Sequence, residues 1–326
     1  MCVDTKQQLS STYYKNGILD GNRFILSKAI TLIESTLKQD EEIALTLLDE
    51  LTLINKTAKR IAITGSPGVG KSTFINAFGK FLSSQQKSVA VLAVDPSSSE
   101  SRGSILGDKT RMEDLLNDEH IYIRPTASAL HLGGASPRTR DVISLCEAFG
   151  FDYILVETVG VGQSETAAKD LTDLFLLLIQ PNAGDELQGI KKGIMEMADI
   201  LIINKSEASN LTQVNHCKAQ LLQAIRLTKN KDIPILAVSS TEHTGMEKVF
   251  AEIEQFFQNH TNNGKWLHKR EEQKKTAVNE NLRLLFDNWL NHHTQDWDSA
   301  DEQYPQLSAR SQALTIFKKI LNRVLS

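Results

Sequence analysis

Nine consecutive residues carry the strongest chemical signal in the chain: Gly65-Ser66-Pro67-Gly68-Val69-Gly70-Lys71-Ser72-Thr73. They match the pattern GxxxxGK[ST] in full, and that pattern cradles phosphate groups. The glycines let the backbone curl so that its N–H groups face anionic oxygens. A helix opening at Lys71 adds the positive end of its dipole. The motif predicts that Lys71 reaches the outer phosphates of a nucleotide and that the Ser72 hydroxyl takes a magnesium ion. A glycine-rich turn without a ligand is the alternative. The apolar run before the motif and the helical pattern after it argue against that.

A phosphate cradle needs carboxylates near the metal. Asp95 closes the apolar run Ser88–Val94, and Glu157 closes the run Asp152–Val156. Strand ends of this kind open onto the ligand crevice of a parallel sheet. Asp95 also precedes Pro96, so turn chemistry is its other reading. Glu157-Thr158-Val159-Gly160 has the form of a nucleotide switch, with an acid near the metal and the Gly160 N–H able to meet a γ-phosphate. Asn204-Lys205-Ser206-Glu207 follows the run Ile200–Ile203. GTPases carry Asn-Lys-x-Asp at such a place, where the acid accepts hydrogen bonds from guanine. Here the acid is Glu207, one methylene longer. Ser239-Ser240-Thr241, after the next apolar run, suits backbone recognition of the base. The eight histidines show no metal-ligand spacing, and no Ser/His/Asp or Cys/His constellation is present.

The elements that must hold these residues are legible as alternation. The runs Arg60–Thr64, Ser88–Val94, Ile121–Arg124, Asp152–Val156, Leu174–Ile179, Ile200–Ile203 and Ile233–Val238 are short, and several are apolar on both faces. Strands buried inside a parallel sheet read this way. Longer helix-compatible stretches separate them, so the chain reads as α/β with a doubly wound, mostly parallel sheet. Residues 1–56 form a helical N-terminal region, 57–257 the nucleotide-binding domain and 258–326 a second helical region. The charge run Lys269–Lys275 reads as a solvated helix face, and Cys146 as a core residue of an amphipathic helix.

Composition narrows the classes further. The chain has 326 residues, 40% of them hydrophobic and 23% charged, which is globular. Lys+Arg total 36 against 40 Asp+Glu, for a net charge of −4. That is no electrostatic footprint for nucleic acid. No apolar run approaches the roughly 20 residues that span a bilayer, and the N-terminus lacks the apolar core of a signal peptide. Three scattered cysteines form no disulfide framework. A cytoplasmic protein, with neither nucleic acid nor membrane as a partner, is the expectation.

Taken together, the motifs resemble one family, the MeaB/ArgK-type GTPases of the SIMIBI class of P-loop proteins, whose human relative is lost in methylmalonic aciduria type A. Besides the P-loop, the strings Asp95-Pro96-Ser97-Ser98, Gly103–Met112, Glu157–Glu165 and Pro181–Met195 carry the likeness. The resemblance implies a GTPase that chaperones adenosylcobalamin-dependent methylmalonyl-CoA mutase or a related acyl-CoA mutase, gating the loading and protection of its cofactor. It implies Mg²⁺ held by Ser72, Asp95, Asp108 and Glu157, with GTP as substrate and GDP as product. It also implies switch segments at 103–112, 157–163 and 185–194, with Gln188 and Lys191 approaching the nucleotide beside Lys71 and Glu157. Read without the family, Lys191 and Lys192 are an exposed helix pair. A homodimer is implied as well, with the C-terminal helices as its arm.

The chain departs from the family pattern at Glu207, at Arg102 and in the string Leu130–Arg138. Two other classes compete. An ATP-dependent P-loop kinase or ATPase linked to arginine transport would need an acceptor site and adenine preference. A nickel-type metallochaperone would need Cys/His clusters that this chain lacks. For Glu207, the expectation is retained preference for GTP with reduced affinity. A competition titration of GTP against ATP checks it, and equal affinities would overturn it.

Overall fold

The structure is a computed structural model that describes residues 9–54, 56–94, 115, 117–126, 137–158, 164–181, 192–228 and 233–292, with 308, 310–315 and 317–318 beyond them. Two compact units are present, 1–273 and 274–326.

The first unit is built on a seven-stranded sheet among the described residues. Its strands are β1 (Lys59–Gly65), β2 (Val89–Val94), β3 (Ile121–Thr126), β4 (Tyr153–Thr158), β5 (Leu174–Ile179), β6 (Ile200–Ile203) and β7 (Ile235–Ala237). Every neighbouring pair is parallel, in the order β3-β2-β4-β1-β5-β6-β7. The mostly parallel sheet expected from the apolar runs is therefore wholly parallel across these strands. β1 lies centrally, between β4 and β5. The chain leaves β1 and returns at β2, two places away. Skipping a place in this way opens a crevice at the carboxyl ends of the strands.

The helices are α1 (Ser11–Leu19), α2 (Arg23–Glu34), α3 (Lys38–Thr52), α4 (Lys71–Ser84), α5 (Pro137–Phe149), α6 (Ser164–Leu171), α7 (Lys192–Met197), α8 (Leu211–Thr228), α9 (Met246–Asn262) and α10 (Lys265–His292). Successive side chains on each strand point to opposite faces, and the cores follow that rule. Ile61, Ile63, Val89, Val91, Tyr153 and Leu155 pack with Phe74, Phe78, Val249 and Ile253 of α4 and α9. Ala90, Leu92, Ile154 and Val156 face the other way, toward Leu26, Ile30 and Leu47 of α2 and α3 and toward Val142 and Cys146 of α5. Phe175, Leu177, Leu201 and Ile203 pack with Cys217 and Leu221 of α8.

The N-terminal helices thus complete one of the cores that flank the sheet. Two of them, α1 and α2, are capped at their starts by side chains: Ser10 accepts from the Tyr13 N–H, and Asn22 accepts from Phe24 and Ile25. Such caps contribute about 1 kcal/mol each. The Arg23 guanidinium donates to the carbonyls of Asp118, Glu119 and Ile121, which ties α2 to the foot of β3.

The amino ends of the central strands carry a buried ion network. Arg270 of α10 grips Asp173 through Nε and Nη2, at 2.7 and 2.6 Å, and its Nη1 reaches Glu147 of α5 at 2.6 Å. Arg60 of β1 pairs with Glu147 through Nε at 2.9 Å and through Nη2, and its backbone N–H donates to Asp173. The Lys269 ammonium donates to the Asp173 carbonyl at 2.6 Å. This corrects the reading of Lys269–Lys275 as a solvated face. Glu271, Glu272, Lys274 and Lys275 are exposed, but Lys269 and Arg270 turn inward toward the Asp173 and Glu147 carboxylates near the amino ends of the central strands. Burial pushes the Glu147 carboxyl up, but the hydrogen bonds and charges of Arg60 and Arg270 outweigh it and hold the group below its ordinary value.

In the second unit, the part of α10 from 274 onward exposes Leu282, Leu285 and Phe286. Among the described residues, no helix is long and apolar enough to cross a membrane.

Arg270→Met leaves Asp173 buried without its guanidinium. A loss of about 3 kcal/mol is expected, because removing one partner strands the other charge. Urea unfolding at neutral pH measures it. The Glu147 contribution is present above the ordinary carboxyl value of 4.5 and is lost as pH falls through the lowered native value. In Arg270→Met that acid-side loss of stability becomes shallower.

Candidate functional site

The loop between β1 and α4 is shaped by two close approaches. Gly65 has φ +152°, and a Cβ there would lie 2.5 Å from the Leu178 carbonyl oxygen of β5. Gly70, at φ +93°, immediately precedes α4, and a Cβ there would lie 2.7 Å from Asn204 Nδ2. Only glycine fits either place. Lys71 opens α4 and is buried, its ammonium donating to the carbonyls of Gly65 at 2.9 Å and Ser66 at 3.2 Å. The first turn of a helix directs N–H groups past its end, and the dipole is positive there. The loop and the helix start together form a concavity that attracts anions.

β4 delivers the carboxylate. Glu157 pairs with Ile63 of β1 in the sheet register. Its Oε1 accepts a hydrogen bond from the Ser72 hydroxyl at 2.9 Å. Behind it, the buried Thr158 hydroxyl donates to that of Thr64 at 2.9 Å and fastens the ends of β4 and β1 together. A hydroxyl and a carboxylate thus converge at the mouth of the loop. Both are hard oxygen donors, and they fit a divalent cation such as Mg²⁺. Asp95, Asp108, Gly160, Gln188 and Lys191 lie outside the described residues.

The loops after β6 and β7 close the site from the other side. Asn204, 1% exposed, donates through Nδ2 to the Val69 carbonyl at 2.9 Å and more weakly to Gly70. Its Oδ1 accepts from the Ser240 hydroxyl at 2.7 Å. Lys205 adopts φ +55°, and its ammonium donates to the Gly68 carbonyl at 2.7 Å and to Gln180 Oε1 at 3.4 Å. Glu207 Oε1 accepts from the hydroxyls of Ser239 and Thr241, each at 2.9 Å, and Oε2 accepts from Asn210 Nδ2 at 3.1 Å. Slight burial pushes this carboxyl up, but the hydrogen bonds, that from Ser239 foremost, hold it below its ordinary value. It is therefore an anion at neutral pH.

The structure brings Gly65 to Thr73, Glu157, Asn204, Lys205, Glu207 and Ser239 to Thr241 into one neighbourhood. Sequence reasoning missed Asn210, Gln180 and Thr64. Asn210 stands three residues after Glu207, a spacing at which side chains meet across a tight turn. Gln180 directly follows β5 and carried no other signal.

The comparisons with known proteins agree on one group. The profile described as methylmalonyl Co-A mutase-associated GTPase MeaB matches residues 26–295. The mouse protein named methylmalonic aciduria type A homolog, mitochondrial, is 37% identical, over 99% of this chain and 78% of its own length. The GTPase ArgK of Escherichia coli K12 is 42% identical, over 82% of this chain and 84% of its own. Among solved structures, one described as LAO/AO transport system kinase superposes with a TM-score of 0.75 at 30% identity, covering 98% of this chain and 100% of that one.

Asn204→Ala removes the donor that holds Val69 and the acceptor that holds Ser240. A loss of about 2 kcal/mol is expected, since buried partners are left unsatisfied. Denaturant unfolding reads that loss. Nucleotide titrations should show weaker binding of guanine and adenine nucleotides alike, because the damage lies in the phosphate loop.

Proposed function

The chain belongs to the MeaB family of mutase-associated P-loop GTPases, and from that premise we propose that it is a GTP-hydrolysing chaperone gating adenosylcobalamin loading and protection of methylmalonyl-CoA mutase or a related acyl-CoA mutase. The observation that carries the nucleotide-switch reading is the Asn204 bridge. It puts the phosphate loop and the Asn-Lys-x-acid loop into one site.

In this reading the P-loop amides and Lys71 bind the β- and γ-phosphates. Asn204, Lys205, Glu207 and Ser239 to Thr241 hold the base. Ser72 and Glu157, with Asp95 and Asp108, hold Mg²⁺. When bound, that ion neutralises charge on the phosphate oxygens. Gly160 senses the γ-phosphate, and Gln188 and Lys191 approach it, a lysine there countering the charge of the transition state. Water attacks the γ-phosphorus as the bond to the β–γ bridging oxygen breaks, so GDP and phosphate leave without a covalent enzyme intermediate.

Residues 258–326 serve as a homodimerisation arm. The exposed Leu282, Leu285 and Phe286 support that role, because an apolar helical stripe gains by meeting a second copy. Cytoplasmic residence is supported by the free, buried thiols of Cys146 and Cys217, which fit a reducing compartment.

Steady-state GTP hydrolysis, measured with and without methylmalonyl-CoA mutase from the same organism, tests the proposal. Clear acceleration by the mutase is expected. GTP turnover that the mutase leaves unchanged would remove this client. Turnover of ATP in place of GTP would favour the transport-linked kinase reading, which the description of the similar solved structure also raises.

A further inference from the structure

We infer that Asn210 sets guanine selectivity, acting as a positioning residue that clamps the Glu207 carboxylate for the base. The inference rests on the reading that Glu207 meets the purine.

A glutamate here has one more rotatable bond than an aspartate. Left loose, its carboxylate would have to be ordered at the moment of binding, and that ordering costs affinity. The structure removes the freedom beforehand with three donors: Ser239 and Thr241 on Oε1, and Asn210 on Oε2. The three are not equivalent. Thr241 is exposed, and its hydroxyl has a second partner in Ser239 Oγ at 3.2 Å. It can turn off Oε1 without being left unpaired. Ser239 is buried, and its oxygen also accepts from the Glu242 N–H at 3.1 Å. Asn210 uses both hydrogens of Nδ2: it donates to Glu207 Oε2 and to the backbone carbonyl of Lys205 at 2.9 Å. Because it is tied to the backbone of the loop that bears the glutamate, it cannot swing away as a hydroxyl can.

Acceptor counting then shows where a base fits. A carboxylate offers about four acceptor directions. Oε1 uses two and Oε2 one. Oε2 retains a direction for the 2-amino group of guanine. Release of Thr241 opens one on Oε1 for the ring N1–H. Adenine presents a bare N1 lone pair at that place, which an anion repels. Asn210 therefore fixes the oxygen that reads the 2-amino group, the feature by which guanine differs from hypoxanthine.

Equilibrium binding of GDP, IDP and ADP to the full chain tests this, with Asn210→Ala, Glu207→Asp and Glu207→Ala beside the parent. A charge-assisted hydrogen bond is the size of the expected effect, about tenfold in affinity. Asn210→Ala should weaken GDP by about tenfold while IDP changes less than about threefold, and the retained IDP affinity reports an intact fold. In the Glu207→Asp background the shorter carboxylate no longer reaches Asn210. Adding Asn210→Ala there should change GDP affinity less than about threefold. Equal losses for GDP and IDP, or equal losses in both backgrounds, would mean that Asn210 merely braces the loop, and would overturn the inference. If Glu207→Ala leaves GDP affinity intact, the reading of Glu207 itself fails and this inference with it. That outcome is distinct from a loss in Glu207→Ala alongside an inert Asn210→Ala.

Discussion

One buried carboxamide holds the candidate site together. Asn204 sits at the end of β6 and spends its donors on the carbonyls of Val69 and Gly70 and its acceptor on Ser240. Three loops from three strands meet on that side chain. An amide suits the task because it carries both donors and an acceptor without charge. An ion in its place would have to be neutralised in the interior. Gly70 is the geometric counterpart of Asn204, because the carboxamide occupies the space a β-carbon would need. The glycine of the loop after β1 thus makes room for the loop after β6.

The sheet separates two kinds of polar chemistry. At the carboxyl ends of the strands, hydroxyls, amides and a few charges face a crevice built for a ligand. At the amino ends, Arg60, Glu147, Asp173 and Arg270 satisfy one another with almost no water. β1 contributes to both, Arg60 near its start and Gly65 at its end. Five residue steps of strand, about 16 Å, separate them. The ion network anchors the strand from which the phosphate loop springs.

Much of this was legible in the sequence because it follows from local rules. All seven strands lie where short apolar runs predicted them, and the loop at Gly65–Thr73 has the strand before it and the helix after it that the motif demands. Glu157, Asn204, Lys205 and Glu207 were legible as candidates because they cluster at the carboxyl ends of strands, Glu157 in the last two residues of β4 and the others in the first four residues after β6. What escaped depends on pairs distant in sequence or on side chains without a motif. Arg270 looked like one charge in a run of seven residues, and its partners Asp173 and Glu147 lie about a hundred residues earlier. Asn210 looked like an ordinary polar residue near a turn. The N-terminal helices read as a region apart, yet their apolar faces cover β2 and β4.

The central place of β1 has a consequence for the order of events during synthesis. Both strands that flank it are made long after it: Ile61 pairs with Leu155 of β4 and with Leu174 of β5. The glycine turn that follows is shaped by Leu178 and by Asn204, which are later still. A nascent chain emerging from the ribosome therefore exposes its phosphate motif well before the motif has a shape. Such long-range pairing is slow to form. The chain must pass residue 241 before all the loops that meet at this site are present.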